Sequence, residues 1–188
     1  MMRSCKKNMR LSNEQYEFIK NEVVSLFEMY DIRCIPINGF EVAQKMQIQL
    51  RPYSALSKTK HNAVMSISTD GFYLEDMTGR DIIYYNDNIT YERLNMTLLH
   101  EIGHCVLDHK GESEIEEAEA NFFAKYALAP PPLIHRLADK SPKSIEENFC
   151  ISYTAAIYAA NYYQKWLVYR TNNYTNYEIR LLHLFGVA

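Results

Sequence analysis

At 188 residues, with 47% apolar and 23% charged side chains, the chain is long enough for one domain with a sizeable core and short for two. A net charge of -3 leaves no basic field to draw in nucleic acid or an anionic bilayer, and no apolar run approaches the roughly twenty residues that span a membrane. The first thirty residues carry no signal-peptide pattern and the four cysteines (Cys5, Cys34, Cys105, Cys150) form no CxxC pair, so a cytoplasmic location with reduced thiols is expected.

In chain order, residues 1–11 are polar and basic and are expected to be disordered. Ser12 with Gln15 three residues on has the form of a capping box. The helix it opens carries Tyr16, Ile19, Val23, Leu26, Phe27 and Tyr30 as one apolar stripe. A short helix is expected from Phe40 to Met46, then a strand at Ile48–Leu50. Three further β segments are read at Val64–Ser68, Phe72–Leu74 and Ile82–Tyr85, separated by turns at Asp70-Gly71 and Thr78-Gly79. From Thr90 to about His109 the spacing of Leu94, Leu98, Ile102 and Cys105 is helical. Ser113 and Glu116 form a second capping box, whose helix stops at Pro130-Pro131-Pro132. Helices then follow after Ser141-Pro142, from Ser152 to Tyr169, and from Tyr177 to Phe185, the last within a C-terminal tail of residues 170–188. The predicted architecture is a single α+β domain over residues 1–188: a small, mostly antiparallel sheet packed on one long helix, with further helices after it.

That long helix holds His100-Glu101-Ile102-Gly103-His104. One turn takes 3.6 residues, so His100 and His104 project from one face and can reach one tetrahedral zinc ion. Glu101, one residue round, lies beside the metal, where it can hold a metal-bound water and accept its proton. Gly103 lowers helix stability but allows a close approach by a neighbouring element.

A catalytic zinc needs a third protein ligand. The next helix offers several glutamates. Glu116 has a local role as the capping partner of Ser113. Glu117 shares a small, partly polar face with Ala120, Asn121 and Ala124. Glu119 is set among Ile115, Phe122, Phe123 and Tyr126, an apolar stripe where a carboxylate needs a cation as partner. Glu119 is therefore the expected third ligand, with Glu116 in reserve. Asn121 is a candidate to hydrogen-bond a ligand or the substrate. His109, five residues past His104, would lie about 140° away around a continued helix, so it reads as structural rather than as a ligand. Cys105 reads as core.

The run His100–His104, then Glu119-Ala120-Asn121-Phe122-Phe123-Ala124, then Leu128-Ala129-Pro130, resembles the ImmA/IrrE family of zinc metallopeptidases. That family carries HELGH, an E-A-N-x-F-A segment and a leucine-rich stretch ending in Met-Pro. The resemblance implies a zincin-like fold and an intracellular endopeptidase. Members are often encoded on phages and mobile elements beside a helix-turn-helix repressor, which they cleave to relieve repression. It carries the ligand roles to His100, His104 and Glu119 and the base role to Glu101. This chain departs at Tyr126–Ala129, at its three successive prolines, and at Phe123, which stands four after Glu119 where thermolysin-like enzymes have an aspartate.

An extended substrate is expected to pair with the sheet edge, with Ile82–Tyr85 as the best candidate strand. His135, Tyr84 and Tyr85 are candidate oxyanion donors between which the sequence does not choose. The helix pair between Ser141 and Trp166 carries too little positive charge to read DNA, so no direct nucleic-acid or membrane contact is expected. A rival reading keeps the zinc but not the chemistry: a regulatory protein that docks a repressor without proteolysis.

Overall fold

The computed structural model describes residues 10–111, 113–169 and 173–187. Of the expected disorder over residues 1–11, residues 1–9 lie outside that range, whereas Leu11 is buried in the core. Residues 170–172 of the expected tail also lie outside it. The capping box at Ser12 is complete. The Gln15 N–H donates to Ser12 Oγ (3.2 Å) and the Ser12 N–H to Gln15 Oε1 (2.8 Å). Helix α1 (Asn13–Met29) follows and buries Ile19, Val23, Val24, Leu26 and Phe27. Helix α2 (Gly39–Lys45) is capped by Asn38 and leads into strand β1 (Gln49–Pro52).

The segment read as a strand at Val64–Ser68 is instead the end of helix α3 (Lys58–Ile67). Five residues with alternating polarity fit a strand, but they also fit a helix that turns one side chain inward, and in α3 only Val64 is buried. Strands β2 (Gly71–Glu75) and β3 (Asp81–Tyr85) follow. The sheet order is β1-β3-β2. β3 runs parallel to β1, with Gln49 opposite Ile82, and antiparallel to β2, with Gly71 opposite Tyr85. The sheet is therefore mixed, and the expectation of a mostly antiparallel one is corrected. A parallel pair needs a crossover, which α3 helps supply between β1 and β3. The same topology corrects the expected sheet edge. Ile82–Tyr85 is the central strand, paired on both sides, and its Ile82 and Ile83 are buried accordingly.

Helix α4 (Tyr91–Val106) packs against β2, β3, α2 and helix α5 (Glu114–Leu128), burying Leu94, Leu98, Leu99 and Ile102. Asn95, fully buried on α4, accepts the Gly39 N–H (2.6 Å) and donates to the Ile37 carbonyl (2.8 Å), fastening the start of α2. The proline run ends α5 as expected but also opens a short helix, α6 (Pro131–Arg136), because proline suits a first helical turn. Helices α7 (Pro142–Phe149), α8 (Tyr153–Tyr169) and α9 (Asn176–Leu184) complete the described chain. Arg180 of α9 reaches back to Glu28, Asn21 and Ser25 of α1. One contiguous core runs from Leu11 to Leu182, and no helix among the described residues is long and apolar enough to cross a membrane.

Candidate metal centre

α4 and α5 are the most extensively packed helix pair, and Gly103 sets their separation. A Cβ at Gly103 would fall 3.1–3.2 Å from three atoms of the fully buried Phe123 side chain on α5. The close approach expected of this glycine is thus a helix–helix contact. It brings the cleft-facing residues of α5 within reach of the two histidines on α4.

His100 Nε2 and His104 Nε2 lie 3.1 Å apart. The carboxylate that joins them is Glu117, with Oε1 3.3 Å from His104 Nε2 and Oε2 3.6 Å from His100 Nε2. Among the described residues these three side chains form a group able to hold one metal ion, with donor atoms all within 4.8 Å of one another. The donors suit a tetrahedral divalent ion. Bonds of about 2.0–2.2 Å put neighbouring ligand atoms roughly 3.4 Å apart, which is the spacing seen here. Burial, helped by neighbouring His104 and His109, pushes the His100 pKa down to about 4 against the pull of a hydrogen bond to Asn121. The imidazole is therefore neutral at pH 7, the form that binds metal.

Glu119, expected as third ligand, is not at the pair. Its Oε2 is 3.1 Å from His109 Nε2 and its Oε1 accepts from the Gln15 side-chain amide at 2.8 Å. The premise held that a carboxylate on this stripe needs a partner, but the partners are a histidine and an amide. Glu116, held in reserve, is also elsewhere. It accepts from the backbone N–H groups of Ser113, Lys110 and Gly111, and the Ser113 hydroxyl heads the contacts that lower its pKa to about 2. Asn121 does sit at the site. It lines the cleft, hydrogen-bonds His100 and donates to the Glu117 carbonyl at 2.7 Å. Counted from Glu117, Asn121 stands at i+4, the position that counting from Glu119 had assigned to Phe123.

His109 is outside the metal-holding group, as expected, but a turn and not a continued helix sets its place. α4 ends at Val106 with Leu107 as its C-cap, and Asp108 takes a left-handed conformation (φ 54°). The Asp108 N–H then reaches the Cys105 carbonyl and the His109 N–H the His104 carbonyl, the paired bonds of a Schellman turn. The chain folds back, and His109 Nδ1 comes to lie 3.0 Å from His104 Nδ1.

Glu101 is buried beside the histidines, and one of its carboxylate oxygens accepts the backbone N–H of Tyr73 on β2 at 2.8 Å. β2 is an edge strand, and with α4 and α5 it walls an open cleft of about 900 Å³. Gly71 lets the strand lie close to the helix, since a Cβ there would fall 2.8 Å from Thr97 Cγ2. His135, Tyr84 and Tyr85 do not line this cleft. His135 pairs with the Tyr163 hydroxyl, Tyr84 stacks on Phe72, and Tyr85 packs edge-on against Phe40. Cys105 is half-buried, with burial and nearby Asp81 pushing its thiol up to about 11, so it is an inert packing group.

A readable signal for Glu117 existed. Its small, partly polar face is what a helix shows to a cleft, and Asn121 one turn on points the same way. No curated protein matches the chain. Residues 57–187 match the family described as the IrrE N-terminal-like domain, Peptidase_M78. That match spans well over half the sequence and contains α4, α5 and the His100, His104 and Glu117 group, so the chain belongs to this peptidase family.

Proposed function

We propose that the protein is a zinc-dependent cytoplasmic endopeptidase, with His100, His104 and Glu117 as metal ligands and Glu101 as the catalytic base. The convergence of two imidazole nitrogens and one carboxylate beside a buried glutamate carries this reading. Two histidines with one glutamate is a donor set typical of catalytic zinc, which leaves one coordination position open. When bound, zinc supplies an acidified water and polarises the scissile carbonyl.

The chain's own groups do the rest. The Tyr73 N–H fixes the Glu101 carboxylate at the cleft wall, where it accepts a proton from the attacking water and returns it to the leaving amine. Asn121 orients His100. With the Gly71 and Tyr73 N–H groups already donated to Ser68 and Glu101, the outward edge of β2 offers an extended peptide its carbonyls and the backbone of Glu75 along the cleft.

The substrate class follows from the motif resemblance alone: a helix-turn-helix repressor whose cleavage relieves repression of a prophage or mobile element. Incubating the zinc-loaded protein with repressors from its own host or element tests it. Wild type should cut one of them, and Glu101→Gln should keep its zinc yet cut on the order of 100-fold more slowly or worse. If Glu101→Gln still removes repression as wild type does, the protein acts by docking and the peptidase mechanism fails.

A further inference from the structure

Behind the metal-facing edge of His104 runs a line of side chains that the proposed chemistry does not use. Gln15 on α1 donates its amide N–H to Glu119 Oε1 (2.8 Å), Glu119 Oε2 lies 3.1 Å from His109 Nε2, and His109 Nδ1 lies 3.0 Å from His104 Nδ1. His104 is buried, and the His109 side chain is only 6% exposed. Each residue comes from a different place: the first turn of α1, the inner face of α5, the turn after α4, and α4 itself. Gln15 also lies outside the part of the chain that matches the peptidase family.

With Glu119 ionised and both histidines neutral, the direction of every bond follows from the donors and acceptors of the four groups. An ionised carboxylate only accepts, so the Gln15 amide and the His109 Nε2–H must both donate to Glu119. A neutral His109 with its proton on Nε2 has an acceptor at Nδ1. His104 must then carry its proton on Nδ1, which leaves the Nε2 lone pair facing His100 and Glu117. The opposite tautomer would put a hydrogen where a metal ion has to bind.

We propose that Glu119 and His109, braced by Gln15, are positioning residues that hold His104 in its metal-binding tautomer and orientation. This rests on the reading of His100, His104 and Glu117 as ligands. Carboxylates that orient ligand histidines directly are common. Here a second histidine stands between, because the Schellman turn at Asp108 places His109 where a carboxylate would otherwise reach. The same arrangement explains a glutamate among aromatic side chains, and it ties the first turn of α1 to the metal site.

The test begins with the metal-free protein, whose histidine tautomers are read by long-range ¹H–¹⁵N correlation NMR. His104 should be the Nδ1–H form and His109 the Nε2–H form. His109→Phe, which keeps a ring but no hydrogen bonds, and Glu119→Ala should each release His104 into a mixture. A predominantly Nε2–H His104 in wild type overturns the proposal, whether or not the site binds metal. Zinc affinity by chelator competition is the second readout. His109→Phe should weaken binding roughly 10- to 100-fold. His109→Gln, whose amide can still accept from His104 and donate to Glu119, should recover most of that loss. Equal affinity for His109→Phe and wild type, alongside clear loss in Glu117→Ala, overturns the positioning role and leaves the ligand set intact. No zinc binding by wild type, with the expected tautomers present, refutes the ligand set while the hydrogen-bonded line stands.

Discussion

The two faces of α5 carry glutamates only two residues apart, and the fold uses them differently. Glu117 is on the cleft side with Asn121 and meets the ring Nε2 edges of His100 and His104. Glu119 is on the α1 side with Phe122 and meets the rear of the same histidine system through His109. One carboxylate remains 44% exposed at the cleft while the other is 19% exposed. The difference teaches that a carboxylate buried in an apolar stripe can be held by fixed protein partners, while the proposed ligand keeps an open face. The proposed ligand sits where the helix looks least like core.

The largest separation between the two faces should appear in metal binding. Glu117→Ala removes a proposed ligand and should weaken zinc by more than roughly 100-fold, beyond the range for side chains that only orient a ligand. Glu119→Ala should fall within that range, at roughly 10- to 100-fold. Isothermal titration with competing chelator measures both, and the reverse order would exchange their roles.

Gly103→Ala probes the distance on which both faces depend. The added methyl meets Phe123, which is fully buried. Overpacking should cost about 1–3 kcal/mol against about 1 kcal/mol of helix propensity gained, a net loss in metal-free unfolding of about 1 kcal/mol. Unchanged stability would show that α5 can slide without disturbing the site.

The smallest effect is expected at Glu116, which serves neither face. Its folded pKa near 2 lies below the ordinary 4.5, so it contributes stability above pH 4.5, and that contribution is lost as pH falls towards 2. Glu116→Ala should flatten the stability profile in that window and leave zinc affinity at pH 7 unchanged. A large loss of zinc would bring Glu116 back as a ligand candidate.

Much of this was legible in the sequence because it is local. The capping boxes at Ser12 and Ser113, the α4 stripe and the His100–His104 pair all follow from helical geometry within a few residues. What the sequence did not disclose depends on tertiary geometry. The parallel pairing of β1 with β3 comes from a crossover, not from strand composition. Helix α3 was misread because a short segment burying only Val64 has no clear period. The contacts of Glu119 were not legible because they lie 104 residues back at Gln15 and beyond a left-handed turn at Asp108. An aspartate in that conformation gives little warning, whereas a glycine there would have marked the helix end.

Anomalous diffraction at the zinc absorption edge, from crystals of the zinc-loaded protein, tests the ligand set most directly. One peak should lie about 2.0–2.2 Å from His100 Nε2, His104 Nε2 and a Glu117 carboxylate oxygen, with Glu119 still against His109. A peak coordinated by Glu119 in place of Glu117, or no peak between the two histidines, would contradict the assignment.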